Sequence, residues 1–189
     1  ISEVYNIFQM CLREDVKLQM INLGGGFPAT YLTPNESIQH YADGISQYIS
    51  ENWGDEWPRI IIEPGRSMVG DSGIIQCEVV SVTRKSYSEF EPRWVYLDVG
   101  KFSGLAETIE EAIKYRFVTS KDKGGSSGPV IFAGPTCDSA DILYEKAQYE
   151  MPLDLCAGDK ILILSTGAYT TSYSSVWFNG FEPLKAFYI

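Results

Sequence analysis

The sequence predicts a two-part fold, α/β alternation over the first seventy residues followed by an all-β segment. Three observations predict it. Apolar runs at residues 18–23 (LQMINL) and 59–62 (RIII) each end in a loop of distinctive chemistry. Gly24-Gly25-Gly26-Phe27-Pro28 follows the first, and Glu63-Pro64-Gly65-Arg66 follows the second. Residues 35–53 between them have helical character, so the order is strand, glycine loop, helix, strand, charged loop: two turns of a βα repeat. Beyond Arg66 helical periodicity gives way to short β-type runs.

Taken in order, residues 2–13 read as an amphipathic helix with Val4, Ile7, Phe8 and Cys11 on one side. The chain opens on Ile1 in mid-pattern, which reads as a piece of something longer. After the two βα turns, residues 67–83 carry Ile74, Ile75, Val79, Val80 and Val82. Residues 94–99 (WVYLDV), 115–119, 130–133 and 160–164 (KILIL) are further β-type runs. Turn-rich stretches at 86–93, 121–128 (KDKGGSSG) and 157–159 separate them, and the second reads as a hairpin tip or a disordered loop. Many short strands at irregular spacing predict a sandwich or barrel. The boundary falls near Gly70, giving a partial (βα) barrel at 1–70 and a β domain at 71–189.

Bulk properties exclude several functions. The chain has 189 residues and a net charge of −10, with no basic run, which argues against a nucleic-acid surface. No apolar stretch approaches the ~20 residues needed to span a bilayer, and residues 1–10 lack a signal-peptide pattern. Cys11, Cys77, Cys137 and Cys156 have no metal-type spacing, so no metal is expected and reduced thiols in a cytoplasmic protein are the plain reading.

Two loops carry chemistry. Loops at the carboxyl ends of parallel strands are where such folds hold ligands. Three glycines that turn backbone N–H groups outward, with Arg66 on the next loop, suit a phosphate. Glu63 beside Arg66 then stands close to a phosphorylated ligand, although it could equally form a local ion pair. By composition alone Cys137 reads as a small buried hydrophobe.

The motifs GGGFP at 24–28, EPGR at 63–66, GPTCDSAD at 134–141, GAYT at 167–170 and FNGF at 178–181 occur in one order. In that order the chain resembles the pyridoxal-phosphate-dependent decarboxylases of alanine-racemase fold, the ornithine, lysine, diaminopimelate and arginine group. Its nearest likeness is to the ornithine and bacterial lysine/ornithine branch, because Asp138 follows the cysteine where diaminopimelate enzymes typically carry Glu. The resemblance implies the carboxyl-terminal half of such an enzyme, with the last two βα units of a TIM-type barrel followed by a β-sandwich or β-barrel domain. It implies pyridoxal 5'-phosphate as cofactor. The phosphate would be held by Gly24, Gly25, Gly26, Arg66 and Tyr169, and Glu63 would face the pyridine nitrogen. Cys137 would direct reprotonation at the α-carbon. Asp138 and Asp98 would meet the distal amine of an ornithine or lysine substrate, with Phe178 lining its pocket. Asp98 could equally cap a turn. The resemblance further implies a homodimer whose active sites are shared between subunits, a diamine product and a place in polyamine biosynthesis. The family's cofactor-bearing lysine lies before the GGGFP motif and has no match here, and His40, the only histidine, does not fit the family's ring-stacking role. Two other readings stand beside this one: a non-catalytic homologue that binds a regulatory partner, and an amino-acid racemase on the same barrel.

Overall fold

The computed structural model describes residues 1–85 and 91–189; the turn expected at 86–93 lies mostly outside them. The chain divides into two compact units, Ile1–Pro28 with Pro34–Met68, and Ala29–Thr33 with Val69–Ile189. The sequence reading kept Ala29–Thr33 in the first part. The structure assigns it to the second, where the Leu32 amide donates to the Lys114 carbonyl at 2.9 Å and the Tyr31 ring meets Tyr115 edge-on at 5.5 Å.

In the first unit, helix α1 (Ser2–Arg13) has its expected bounds, but Ile7 is 53% exposed. Its packing face is Tyr5 and Phe8, whose rings meet Trp53 edge-on at 4.8 and 5.4 Å. Trp53 ends helix α2 (Ile38–Trp53), which starts where the Ser37 hydroxyl accepts the His40 amide. Strands β1 (Met20–Asn22) and β2 (Arg59–Ile61) pair in parallel on either side of α2 in sequence, Ile21 opposite Ile60. Helix α3 (Arg66–Val69) follows. This is a single βαβ crossover. Among the described residues the first unit holds no closed barrel, only a two-stranded sheet.

The second unit corrects the expected sandwich or barrel to one six-stranded mixed sheet, in the order β5-β8-β3-β4-β6-β7. Its strands are β3 (Ile74–Thr83), β4 (Arg93–Leu97), β5 (Arg116–Thr119), β6 (Ser127–Ala133), β7 (Tyr149–Pro152) and β8 (Lys160–Leu164). The reason lies in β3. Its first half, Ile74 to Glu78, pairs with β8, and its second half, Val79 to Thr83, pairs with β4. A register shift between Val79 and Ser81 marks the change of partner. The Asp98 carboxylate accepts the Glu78 amide at 2.8 Å just before it. Among the described strands of this sheet, β4 and β6 are the one parallel pair. The core is built from alternating residues such as Val95 and Leu97 of β4 and Ile161 and Ile163 of β8, with Tyr115, Phe132, Tyr144 and Tyr149. Cys77 is buried among them, and burial pushes its thiol up to about 12, which makes it inert.

Glu111 pins the loop after β6 to the turn before β5. It accepts the amides of Glu145, Lys146 and Ala147 at 2.9, 2.6 and 2.7 Å. Burial works against its charge, yet the three amides outweigh it and hold the carboxyl below its usual 4.5. A depressed acid contributes stability above its unfolded pKa and loses it as pH falls through the folded one. Glu111→Gln should therefore cost about 1–2 kcal/mol at pH 7. In urea melts from pH 7 to pH 3, the two proteins should stay apart down to pH 4.5 and converge below it. A constant gap would refute the assignment.

Candidate active site

The first unit assembles the two loops the sequence singles out. Asn22, the last residue of β1, donates its side-chain amide to Glu63 Oε1 at 2.7 Å and accepts the Gly24 amide at 2.8 Å. The Glu63 amide in turn donates to the Gly24 carbonyl at 2.7 Å. Gly24 and Gly26 have φ of +68° and +86°, and a Cβ on Gly25 would lie 2.6 Å from the Glu63 carbonyl oxygen. That backbone path needs glycine. Among the described residues no hydrogen bond uses the Gly25 or Gly26 amide, or Glu63 Oε2. Arg66 opens α3 three residues later and is half-buried. The donor set fits a phosphorylated, ring-bearing cofactor: open amides and a guanidinium for phosphate, and a carboxylate oxygen for a protonated ring nitrogen.

The second unit gathers the other motifs. Cys137 is exposed on the loop after β6, with φ +61°, and Asp138 beside it accepts the Ala140 amide at 2.8 Å. Phe178 stacks on Phe102 with ring centroids 4.2 Å apart. Its neighbour Asn179 donates to the Thr136 carbonyl at 2.8 Å, so the FNGF and GPTCDSAD loops are joined next to Cys137. Cys137, Tyr169, Trp177 and Asn179 all hold positive φ, a region costly for residues other than glycine and frequent at functional sites.

Tyr169 is 42% exposed, its ring 5.5 Å from Tyr173. Its loop is threaded against residues 69–73: the Gly167 amide donates to the Gly70 carbonyl and the Thr166 amide to the Gly73 carbonyl, each at 2.9 Å. Asp98 stands apart from the thiol loop's contacts. It is exposed, and its carboxylate accepts the Glu78 amide of β3, a cross-strand contact and not the cap of a local turn. Cys156 is exposed, with Lys121 Nζ 3.6 Å from its sulfur, and Cys11 is half-buried.

Sequence reasoning missed Asn22, which aims Glu63, and Asp141, Phe102 and Asn179, which support the thiol loop. Asp141 and Asn179 lie inside motifs already singled out. The available signal was their position beside glycines and loop residues, where a polar side chain usually serves the backbone.

Residues 4–167 match the model of the pyridoxal-dependent decarboxylase, C-terminal sheet domain. The chain is 33% identical over 168 residues to a diaminopimelate decarboxylase of Staphylococcus aureus, covering 86% of this chain and 38% of that protein. It is 28% identical over 192 residues to an ornithine decarboxylase of Schizosaccharomyces pombe, covering 97% and 42%. A solved structure of lysine/ornithine decarboxylase from Vibrio vulnificus complexed with cadaverine is similar at a TM-score of 0.77 and 25% identity, over 95% of this chain and 46% of that one. The chain thus spans about two fifths of the curated relatives it matches. It belongs to the family of pyridoxal-dependent ornithine, diaminopimelate and arginine decarboxylases and carries their C-terminal sheet domain.

Proposed function

We propose that this chain is part of an enzyme that decarboxylates L-ornithine or L-lysine to a diamine. In this reading β1–α2–β2 is the closing part of a (βα) barrel. An apolar hollow of about 410 Å³ within the first unit, lined by Phe27, Ile38, Ile45, Ile49, Ile60 and Met68, supports it by offering a surface for further barrel strands. Gly24, Gly25, Gly26 and Arg66 hold the cofactor phosphate. Pyridoxal phosphate supplies the electron sink for the pair left behind when carbon dioxide departs. Glu63 keeps the ring nitrogen protonated through its open oxygen. Cys137 delivers or directs the proton to the α-carbon, and Asp138 receives the distal ammonium beside the Phe178 wall. Cys137 and Asp138 serve the site of the opposite subunit in a homodimer.

The observation that carries the reading is the pairing at the ends of β1 and β2: two open glycine amides beside a carboxylate held by Asn22 through only one oxygen. The substrate class rests on Asp138. A second reading, diaminopimelate as substrate, is favoured by the relative from Staphylococcus aureus. Its distal carbon bears a carboxylate as well as an ammonium, and a carboxylate facing Asp138 is a like-charge clash of several kcal/mol. In the full-length protein, carbon dioxide release from ornithine or lysine should exceed that from meso-diaminopimelate by about 100-fold or more in kcat/KM. The reverse preference would overturn the substrate assignment. No release from any of the three would favour the non-catalytic homologue.

A further inference from the structure

We infer that Asp141 is a positioning residue that sets the proton-directing thiol and the aromatic wall as one unit. The inference rests on the proposed role of Cys137. Asp141 is 2% exposed, and its carboxylate accepts only donors. Oδ1 takes the Lys101 amide at 2.7 Å, while Oδ2 takes the Thr136 hydroxyl at 2.7 Å and the Thr136 amide at 3.2 Å. These contacts close a ring. Lys101 leads to Phe102, Phe102 stacks on Phe178, Asn179 donates to the Thr136 carbonyl, and Thr136 returns to Asp141.

Cys137 sits at the clasp of this ring. The peptide before it is gripped through the Thr136 carbonyl. The peptide after it is held through the Asp138 amide, which donates to the Thr136 hydroxyl at 3.4 Å. A left-handed backbone at a cysteine persists only where its surroundings over-determine it, and these contacts do so. The site also accepts little else. A Cβ on Gly100 or Gly134 would collide with the Asp141 carboxylate, so neither backbone leaves room for a longer acid. An asparagine would turn an N–H₂ toward at least one of the three donors.

The test has two arms. In this chain, Asp141→Asn should speed hydrogen exchange at the Lys101 and Thr136 amides at least tenfold, with the core amides of Val95 and Ile163 unchanged. Asn179→Ala opens the ring from an exposed position, and should speed exchange at Asp138 whether or not the first variant folds. In the full-length decarboxylase, Asp141→Asn should raise the fraction of misprotonated product in the same direction as Cys137→Ala. The double variant should be no worse than Cys137→Ala alone, a non-additivity that general loosening would not produce. Unchanged exchange in both folded variants would overturn the clamp. Faster exchange with additive product partition would overturn the positioning role. No effect of Cys137→Ala itself would instead overturn the reading of Cys137 beneath it, with the exchange result still standing.

Discussion

Arg93→Ala should cost the sheet unit about 4 kcal/mol, a large part of the 5–15 kcal/mol that holds a domain folded. Arg93 begins β4 and is 4% exposed, yet among the described residues no carboxylate pairs with it. Its guanidinium instead reaches four carbonyls. Nη1 donates to Pro152 at 3.0 Å and Leu153 at 3.3 Å, and Nη2 donates to Met151 at 2.7 Å and Gly128 at 3.4 Å. Burial pulls its pKa below the usual value, and Arg84 adds to the effect. Removing it strands buried acceptors at the end of β7 and opens a hole beside them. Arg93→Lys keeps the charge but not the planar fork, and should recover less than half of the loss. Arg84→Ala, on an exposed side chain, should stay within about 0.5 kcal/mol. Urea midpoints with constant slope measure all three. An Arg93→Ala midpoint within error of the parent would mean that water replaces the guanidinium at no cost.

On the function proposed above, Cys137→Ala in the full-length protein should lower turnover by about 100-fold or more, the scale of a lost proton-transfer group, while cofactor binding stays intact. The sharper result comes from mixing. Paired with a variant lacking the cofactor-bearing lysine, itself nearly dead, Cys137→Ala should regain activity. If each site takes the lysine from one subunit and the thiol from the other, a mixed dimer holds one intact site and one doubly defective site. Random exchange makes about half of the dimers mixed, so recovery should reach roughly a quarter of the parent activity for a symmetric pair. No recovery after confirmed subunit exchange would place both groups in one subunit.

Local pattern reached the elements whose cause is local. The bounds of α1 were legible because Val4, Phe8 and Cys11 recur at helical spacing, but its face was not fully so: Ile7 is exposed and Tyr5 packs on Trp53 instead. β4, β5 and β8 were legible because β-branched and aromatic residues alternate within them. β7 was not. It is four residues long, contains Glu150 and ends in Pro152, which is tolerated because β7 is an edge strand. The candidate site split the same way. Its glycines, acid and thiol stand in contiguous motifs, whereas its supports act across the chain. Asn22 reaches Glu63 over 41 residues and Asp141 reaches Lys101 over 40; in the sheet, Arg93 reaches Pro152 over 59. No periodicity spans such distances. The expected sandwich failed for a related reason: nothing local says that one strand changes partners halfway along.

That change of partner sets a timetable for biosynthesis. The second half of β3 finds β4 soon after it is made, but the first half waits for β8, whose residues pair 82 positions later at Glu78–Lys160 and 90 at Ile74–Leu164. At 5–20 residues per second the ribosome leaves that edge open for roughly 4–18 s. Ile74, Ile75 and Cys77 lie along it, with Gln76 between them and a single charge at Glu78, and an unpaired strand edge of this kind templates pairing between chains. The nascent polypeptide is therefore most prone to aggregate in this interval. A chaperone that shields the Ile74 edge until Leu164 emerges, or slower translation ahead of β3 to keep neighbouring chains apart, should raise soluble yield more than any improvement of the finished core.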